Sequence, residues 1–273
     1  MESQAHGKNL PDINHLSVLA AMIVLAYTLG RFIDLPSWQI SSQLPGLYIE
    51  FTINVNMITA LLVAAMTVAG ANWLMHNHPA ARGRHSLELA ILPALTALVI
   101  GIPLSSIPVG LGWWLGLISG AIILVLVLIA EYIAVDPDDI RLPTATAALS
   151  AVSFALFLLL AGALRANGVR LLYNTPALAV AAWLVSLRVT NLRLHGEWTI
   201  YESAIIAFVI GQITAAFNYW PLTPIAFGLV LLGPSYALIS LFCNLIDEKP
   251  FRKLIVEPMV SILIAWGAAL IIR

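Results

Sequence analysis

The chain has 273 residues, of which 60% are hydrophobic and 10% charged, with a formal net charge of -1. An ordinary soluble domain carries about 25% charged residues, and so few charges cannot coat a soluble fold this apolar. The near-zero net charge also excludes a nucleic-acid partner, which needs a basic face to neutralise phosphates, and the lone Cys243 excludes an intrachain disulfide framework.

A helix needs about 20 mostly apolar residues, each rising about 1.5 Å, to cross roughly 30 Å of hydrocarbon. Nine runs meet that requirement, at 15–33, 55–75, 87–105, 109–133, 145–164, 174–191, 202–219, 222–246 and 255–272. The expected architecture is therefore an all-α polytopic bundle of nine transmembrane helices in a single transmembrane domain, 1–273. A short tail, 1–14, precedes the first run. Arg31, Asp34 and Pro36 follow that run in place of a small-x-small cleavage pattern, so it is expected to be a retained helix and not a signal peptide. The loop 34–54 is long enough to have structure of its own. Its alternation in Leu47, Tyr48, Ile49, Glu50, Phe51 and Thr52 fits a strand, and fits equally an amphipathic element lying in the interface.

Lys and Arg are retained on the cytoplasmic side during insertion. With the N-terminus inside, nine of the thirteen (Lys8, Arg82, Arg84, Arg141, Arg188, Arg193, Lys249, Arg252 and Lys253) fall on inner segments and four (Arg31, Arg165, Arg170 and Arg273) on outer ones. This predicts a cytoplasmic (inner) membrane protein with the N-terminus inside and the C-terminus outside. Trp38, Tyr48, Trp113, Trp114, Tyr173, Tyr219 and Trp220 mark the outer headgroup level, and Trp73, Tyr132, Trp198 and Tyr201 the inner one. Trp183 and Trp266 sit deeper, where packing is the expected role.

Two tight outer turns, Ile107-Pro108-Val109-Gly110 and Trp220-Pro221-Leu222-Thr223-Pro224, predict helical hairpins. Their prolines lie 113 residues apart, Glu88 and Glu202 lie 114 apart, and Asp136 and Asp247 lie 111 apart. This spacing suggests two parallel four-helix repeats, 55–164 and 174–272, with the first helix as an addition.

No ionisable residue falls at the centre of a proposed helix, where it would cost roughly 2.5 to 3.5 kcal/mol. They gather instead on the inner face, among them His76, His78, His85, Glu88, Glu131, His195, Glu202 and Glu257. Asp136-Pro137-Asp138-Asp139 fits a turn and helix start. Alternatively Asp136, Asp138, Asp139, Asp247 and Glu248 converge on Mg²⁺ for a diphosphate substrate. In outline such a chain resembles the membrane prenyltransferases, which would imply a Mg²⁺-dependent lipid or isoprenoid enzyme. Their N-D-x-x-D motifs, however, follow the second and sixth helices, whereas these acids follow the fourth and eighth.

Within the bilayer, Asn56, Ala60, Ala64, Thr67 and Ala71 align on helix 2, and Ala204, Ala207, Gly211, Thr214 and Asn218 on helix 7. Such stripes let helices approach closely, or line a solute path. Pro234, near the middle of helix 8, frees a carbonyl one turn back, which Ser235, Tyr236 or Gln212 is placed to satisfy. The candidate solute-path residues are thus Gln212, Thr214, Asn218, Pro234, Ser235, Tyr236 and Asn56. No catalytic constellation is present, so the leading expectation is a structural, assembly or accessory membrane component. It needs no cofactor, binds membrane lipids and takes other membrane subunits as partners. A permease or binding protein for a small neutral or apolar solute is the first alternative.

Overall fold

The computed structural model describes residues 13–33, 38–44, 47–53, 55–76, 86–136, 138–194, 196–248 and 250–272. Lys8, His78, Arg82, Arg84, His85, His195, Lys249 and Arg273 lie outside the described residues, as does nearly all of the 1–14 tail. In chain order come α1 (Ile13–Phe32), β1 (Trp38–Leu44), β2 (Leu47–Ile53), α2 (Val55–His76), α3 (Ser86–Ser106), α4 (Leu111–Ala134), α5 (Leu142–Ala166), α6 (Leu171–Arg193), α7 (Ile200–Phe217), α8 (Pro224–Ile246) and α9 (Phe251–Ile272). All nine described helices are long and apolar enough to cross a membrane. The protein is an all-α polytopic membrane bundle with one small β-hairpin.

That hairpin is where the sequence left two options. β1 and β2 pair antiparallel from Trp38 opposite Ile53 to Leu44 opposite Leu47, so alternate residues of each strand exchange backbone hydrogen bonds with the other.

Two helix boundaries show how local chemistry sets the elements. α6 runs longer at both ends than its apolar stretch, and the polar residues inside that stretch are satisfied by protein: Asn174 Nδ2 donates to Asn218 Oδ1 at 2.8 Å, and Arg188 Nη1 donates to Asn191 Oδ1 at 2.9 Å. α8 starts later than its apolar stretch, where Thr223 Oγ1 accepts from the Ala226 amide at 3.3 Å and Pro224 takes the first helical position.

The chain divides into two compact units, Met1–Asp139 and Ile140–Arg273. In the first, α1 packs on α2 and α4, and α3 packs on the same two, closing a ring of four helices. Its core joins Leu19 and Ile23 to Val63, Ala97, Trp113, Leu124 and Leu128. Truncating a leucine packed as Leu128 is costs about 2 to 5 kcal/mol through lost contacts and the cavity left behind.

In the second unit, α5 and α7 each pack on α6 and α8, α6 touches α8, and α9 lies along α8. Its buried interior includes Leu149, Phe157, Leu178, Ile206 and Leu231. The α8–α9 contact depends on a missing side chain: a Cβ at Gly233 would stand 2.8 Å from Ala265 Cβ. One residue on, Pro234 has no amide for the Val230 carbonyl. Trp266 Nε1 of α9 donates to that carbonyl at 3.2 Å, so the proline break and the helix packed over it form one joint.

Candidate functional site

In the first unit a polar pocket lies where α1 and α3 end and α2 and α4 begin. Tyr27 and Arg31, four residues apart, share one face of α1. The Tyr27 hydroxyl donates to the Ala97 carbonyl, and Arg31 Nη2 donates to the Ile107 carbonyl at 3.2 Å. Two glycines allow the close approach: a Cβ at Gly30 would run into the Thr59 side chain, and one at Gly101 would sit 2.9 Å from the Tyr27 hydroxyl oxygen.

The polar lining consists of Tyr27, Arg31, Asn56, Thr59, Ser105 and Trp113, around a cavity of about 20 Å³. That is room for about one water-sized atom. Ser105 Oγ donates to the Ile102 carbonyl at 2.7 Å. Trp113 is only 1% exposed, and its indole N–H has no hydrogen-bond partner. A buried donor left unmade costs about 1 to 3 kcal/mol, so this end of the first unit keeps one unmet donor on a residue that lines the pocket.

The second unit carries a related arrangement where α5 and α7 end and α6 and α8 begin. Arg165, in the last turn of α5, donates to the Asn218 carbonyl and, at 2.6 Å, to the Trp220 carbonyl. Its guanidinium also lies 5.4 Å from the centre of the Phe227 ring. The Asn174–Asn218 bond closes this site with the chain's own groups, although Asn174 Oδ1 and Thr175 Oγ1 stay buried without partners.

The structure distributes the other sequence-derived candidates differently. Asn56 lines the first-unit pocket, whereas Gln212, Thr214, Asn218, Pro234, Ser235 and Tyr236 belong to the second unit. Gln212 is exposed, whereas Pro234 and Ser235 are buried. The Ser235 and Thr214 hydroxyls bond the Leu231 and Ile210 carbonyls of their own helices, each at 2.8 Å. Tyr236 instead joins a polar cluster: its hydroxyl donates to Glu257 Oε1 at 3.2 Å, its ring lies under the Arg193 guanidinium at 5.4 Å, and Asn244 Nδ2 donates to Glu257 Oε2 at 3.2 Å.

Of the acids considered for Mg²⁺, Asp136, Asp138 and Asp139 form a turn in which Asp136 Oδ1 accepts from the Asp138 amide at 3.1 Å, while Asp247 and Glu248 are exposed beyond the end of α8. Among the described residues, no group of three or more His, Cys, Asp and Glu is arranged to hold a metal ion.

A family model described as "Protein of unknown function (DUF5656)" matches residues 35–272. The chain belongs to the DUF5656 family. No curated protein and no solved structure matches it. The DUF5656 match covers α2 to α9 and the β-hairpin, so it takes in Asn56, Thr59, Ser105 and Trp113 of the pocket together with all of the Arg165 site. Tyr27 and Arg31 precede it.

From the sequence alone Trp113 and Trp114 read as outer headgroup-level aromatics and Arg31 as one cation on an outer segment. The available signal was the four-residue spacing of Tyr27 and Arg31. Nothing in the sequence brings Trp113 to that face, because α4 meets α1 only through the tertiary ring.

Proposed function

We propose that this protein is a non-catalytic structural, assembly or accessory component of a cytoplasmic membrane, with the N-terminus inside and membrane lipids as its partners. One observation carries the reading. The buried hydroxyls of Thr67, Thr96, Ser153, Thr214 and Ser235 each bond a carbonyl one turn back on their own helix, at 2.7 to 2.8 Å, and none is more than 2% exposed. Hydroxyls committed in this way serve close packing and leave little to offer a passing solute. The orientation rests on the nine-to-four division of Lys and Arg between the two sides.

We place an internal duplication within this architecture. On α4 the residues Trp113, Leu117, Gly120, Leu124, Val127 and Glu131 are buried, and so are Ala226, Val230, Gly233, Ala237, Ser240 and Asn244 on α8, each 113 positions later. The four-helix rings, and the arginines that end α1 and α5, support the same correspondence. On this basis we propose to shift the repeating unit from the 55–164 and 174–272 suggested by the sequence spacing to α1–α4 and α5–α8, which makes α9 and not α1 the added helix.

Stopped-flow light scattering of proteoliposomes separates this role from a permease. After an osmotic step with glycerol or with urea, the expected shrinkage and recovery rates equal those of protein-free vesicles. A several-fold faster glycerol or urea recovery would replace the structural role with a channel or carrier role.

A further inference from the structure

The pocket at the end of the first unit has an unbalanced chemistry. Two of its side chains are obligatory donors, the Arg31 guanidinium and the Trp113 indole, and among the described residues the lining includes no carboxylate. Arg31 has one carbonyl bond, at 3.2 Å, where Arg165 in the second unit has two carbonyls and an aromatic face. The Trp113 N–H is buried and unpaired. Asn56, which is exposed, and the half-buried Thr59 also line it, with groups able to donate as well.

We infer that this pocket seats an anionic phosphate oxygen, which accepts from Arg31 and Trp113 and is steadied by Asn56 and Thr59. The cavity of about 20 Å³ admits one such oxygen and leaves the rest of its group outside. Charge-assisted bonds from a guanidinium fork favour phosphate over a neutral acceptor. The position also suits a phosphodiester, because the pocket lies at the ends of spanning helices, the level at which headgroups sit. In the second unit backbone carbonyls occupy the equivalent arginine, so the ligand oxygen does for Arg31 what the chain does for Arg165. This inference deepens the lipid partnership proposed above by assigning it a site.

The test uses the full-length protein in detergent, with native mass spectrometry and thermal unfolding as readouts. The probes are phosphatidylglycerol, diacylglycerol of the same acyl chains, and inorganic phosphate. Wild-type protein is expected to retain phosphatidylglycerol and gain thermal stability from it, with little response to diacylglycerol. Trp113→Phe, which keeps the ring and removes the donor, and Asn56→Ala, at the exposed rim, should each weaken that binding about tenfold, and Arg31→Gln should weaken it more. Arg165→Gln should leave it unchanged.

If inorganic phosphate raises the melting temperature and displaces the lipid, the oxyanion site stands and its source includes free phosphate. Equal binding of diacylglycerol would overturn the proposal. So would phosphatidylglycerol binding that all three pocket variants leave intact, in which case the lipid partnership survives without this site. Absence of any lipid or phosphate response would overturn both.

Discussion

At the end of the first helix of each unit stands an arginine that reaches the turn between the third and fourth helices. Arg165 meets the carbonyls of Asn218 and Trp220 and the face of Phe227, and beside it Asn174 and Asn218 bond each other. Among the described residues Arg31 meets Ile107 alone, beside a cavity and an unpaired indole N–H. The difference teaches that closure of such an end is a matter of which residues the chain supplies. Where the second unit has an asparagine pair, the first has Ser105 bonded back to its own helix.

The largest test of this comparison lies at the matching glycines. Gly233→Leu must displace Ala265, whose Cβ cannot move without its backbone, whereas Gly120→Leu meets Ile100 Cγ2 at 2.5 Å, on a side chain that can turn. Detergent unfolding followed by tryptophan fluorescence should show a loss of about 3 kcal/mol for the first and about 1 kcal/mol for the second. Equal losses would break the contrast between a helix covered by α9 and one that is not.

Next in size are the arginines. Arg165→Met is expected to cost roughly 2 kcal/mol and Arg31→Met roughly 1 kcal/mol in lipid-free detergent, in proportion to the bonds lost. Phosphatidylglycerol should widen the Arg31→Met deficit and leave the Arg165→Met deficit unchanged. Trp266→Phe, which takes the donor from the Val230 carbonyl and keeps the packing, should cost about 1 kcal/mol by the same measurement. Smallest is a double-mutant cycle on Asn174→Leu and Asn218→Leu, whose coupling should be about 0.6 kcal/mol, typical of a hydrogen bond between helices in a membrane. The same cycle on Asn56→Leu and Ser105→Ala should give a coupling near zero.

The nine spans were legible because each is a long apolar run, a property of consecutive residues. The strand-like alternation at 47–52 was legible for the same reason, and its partner strand completes it. Pro234 announced a freed carbonyl, but the sequence offered Ser235, Tyr236 and Gln212 as its neighbours. The bond comes instead from Trp266, thirty-six residues beyond Val230, because only the packing of α9 on α8 brings that indole across. The pocket was hidden for a similar reason: Arg31, Asn56, Ser105 and Trp113 come from four helices, and their meeting follows from the closing of the ring. Of these four, only Asn56 is among the solute-path residues that the sequence points to.

The joint between Val230 and Trp266 also bears on how the protein is made. As the chain is synthesised, α8 reaches the membrane before α9 does, and for that interval the Val230 carbonyl has neither its own helix's amide nor the indole. A carbonyl without a partner in hydrocarbon costs several kcal/mol, which favours holding α8 against protein or water until Trp266 arrives. A chain stalled before Trp266 should therefore remain crosslinkable to the insertion machinery for longer than one that includes it.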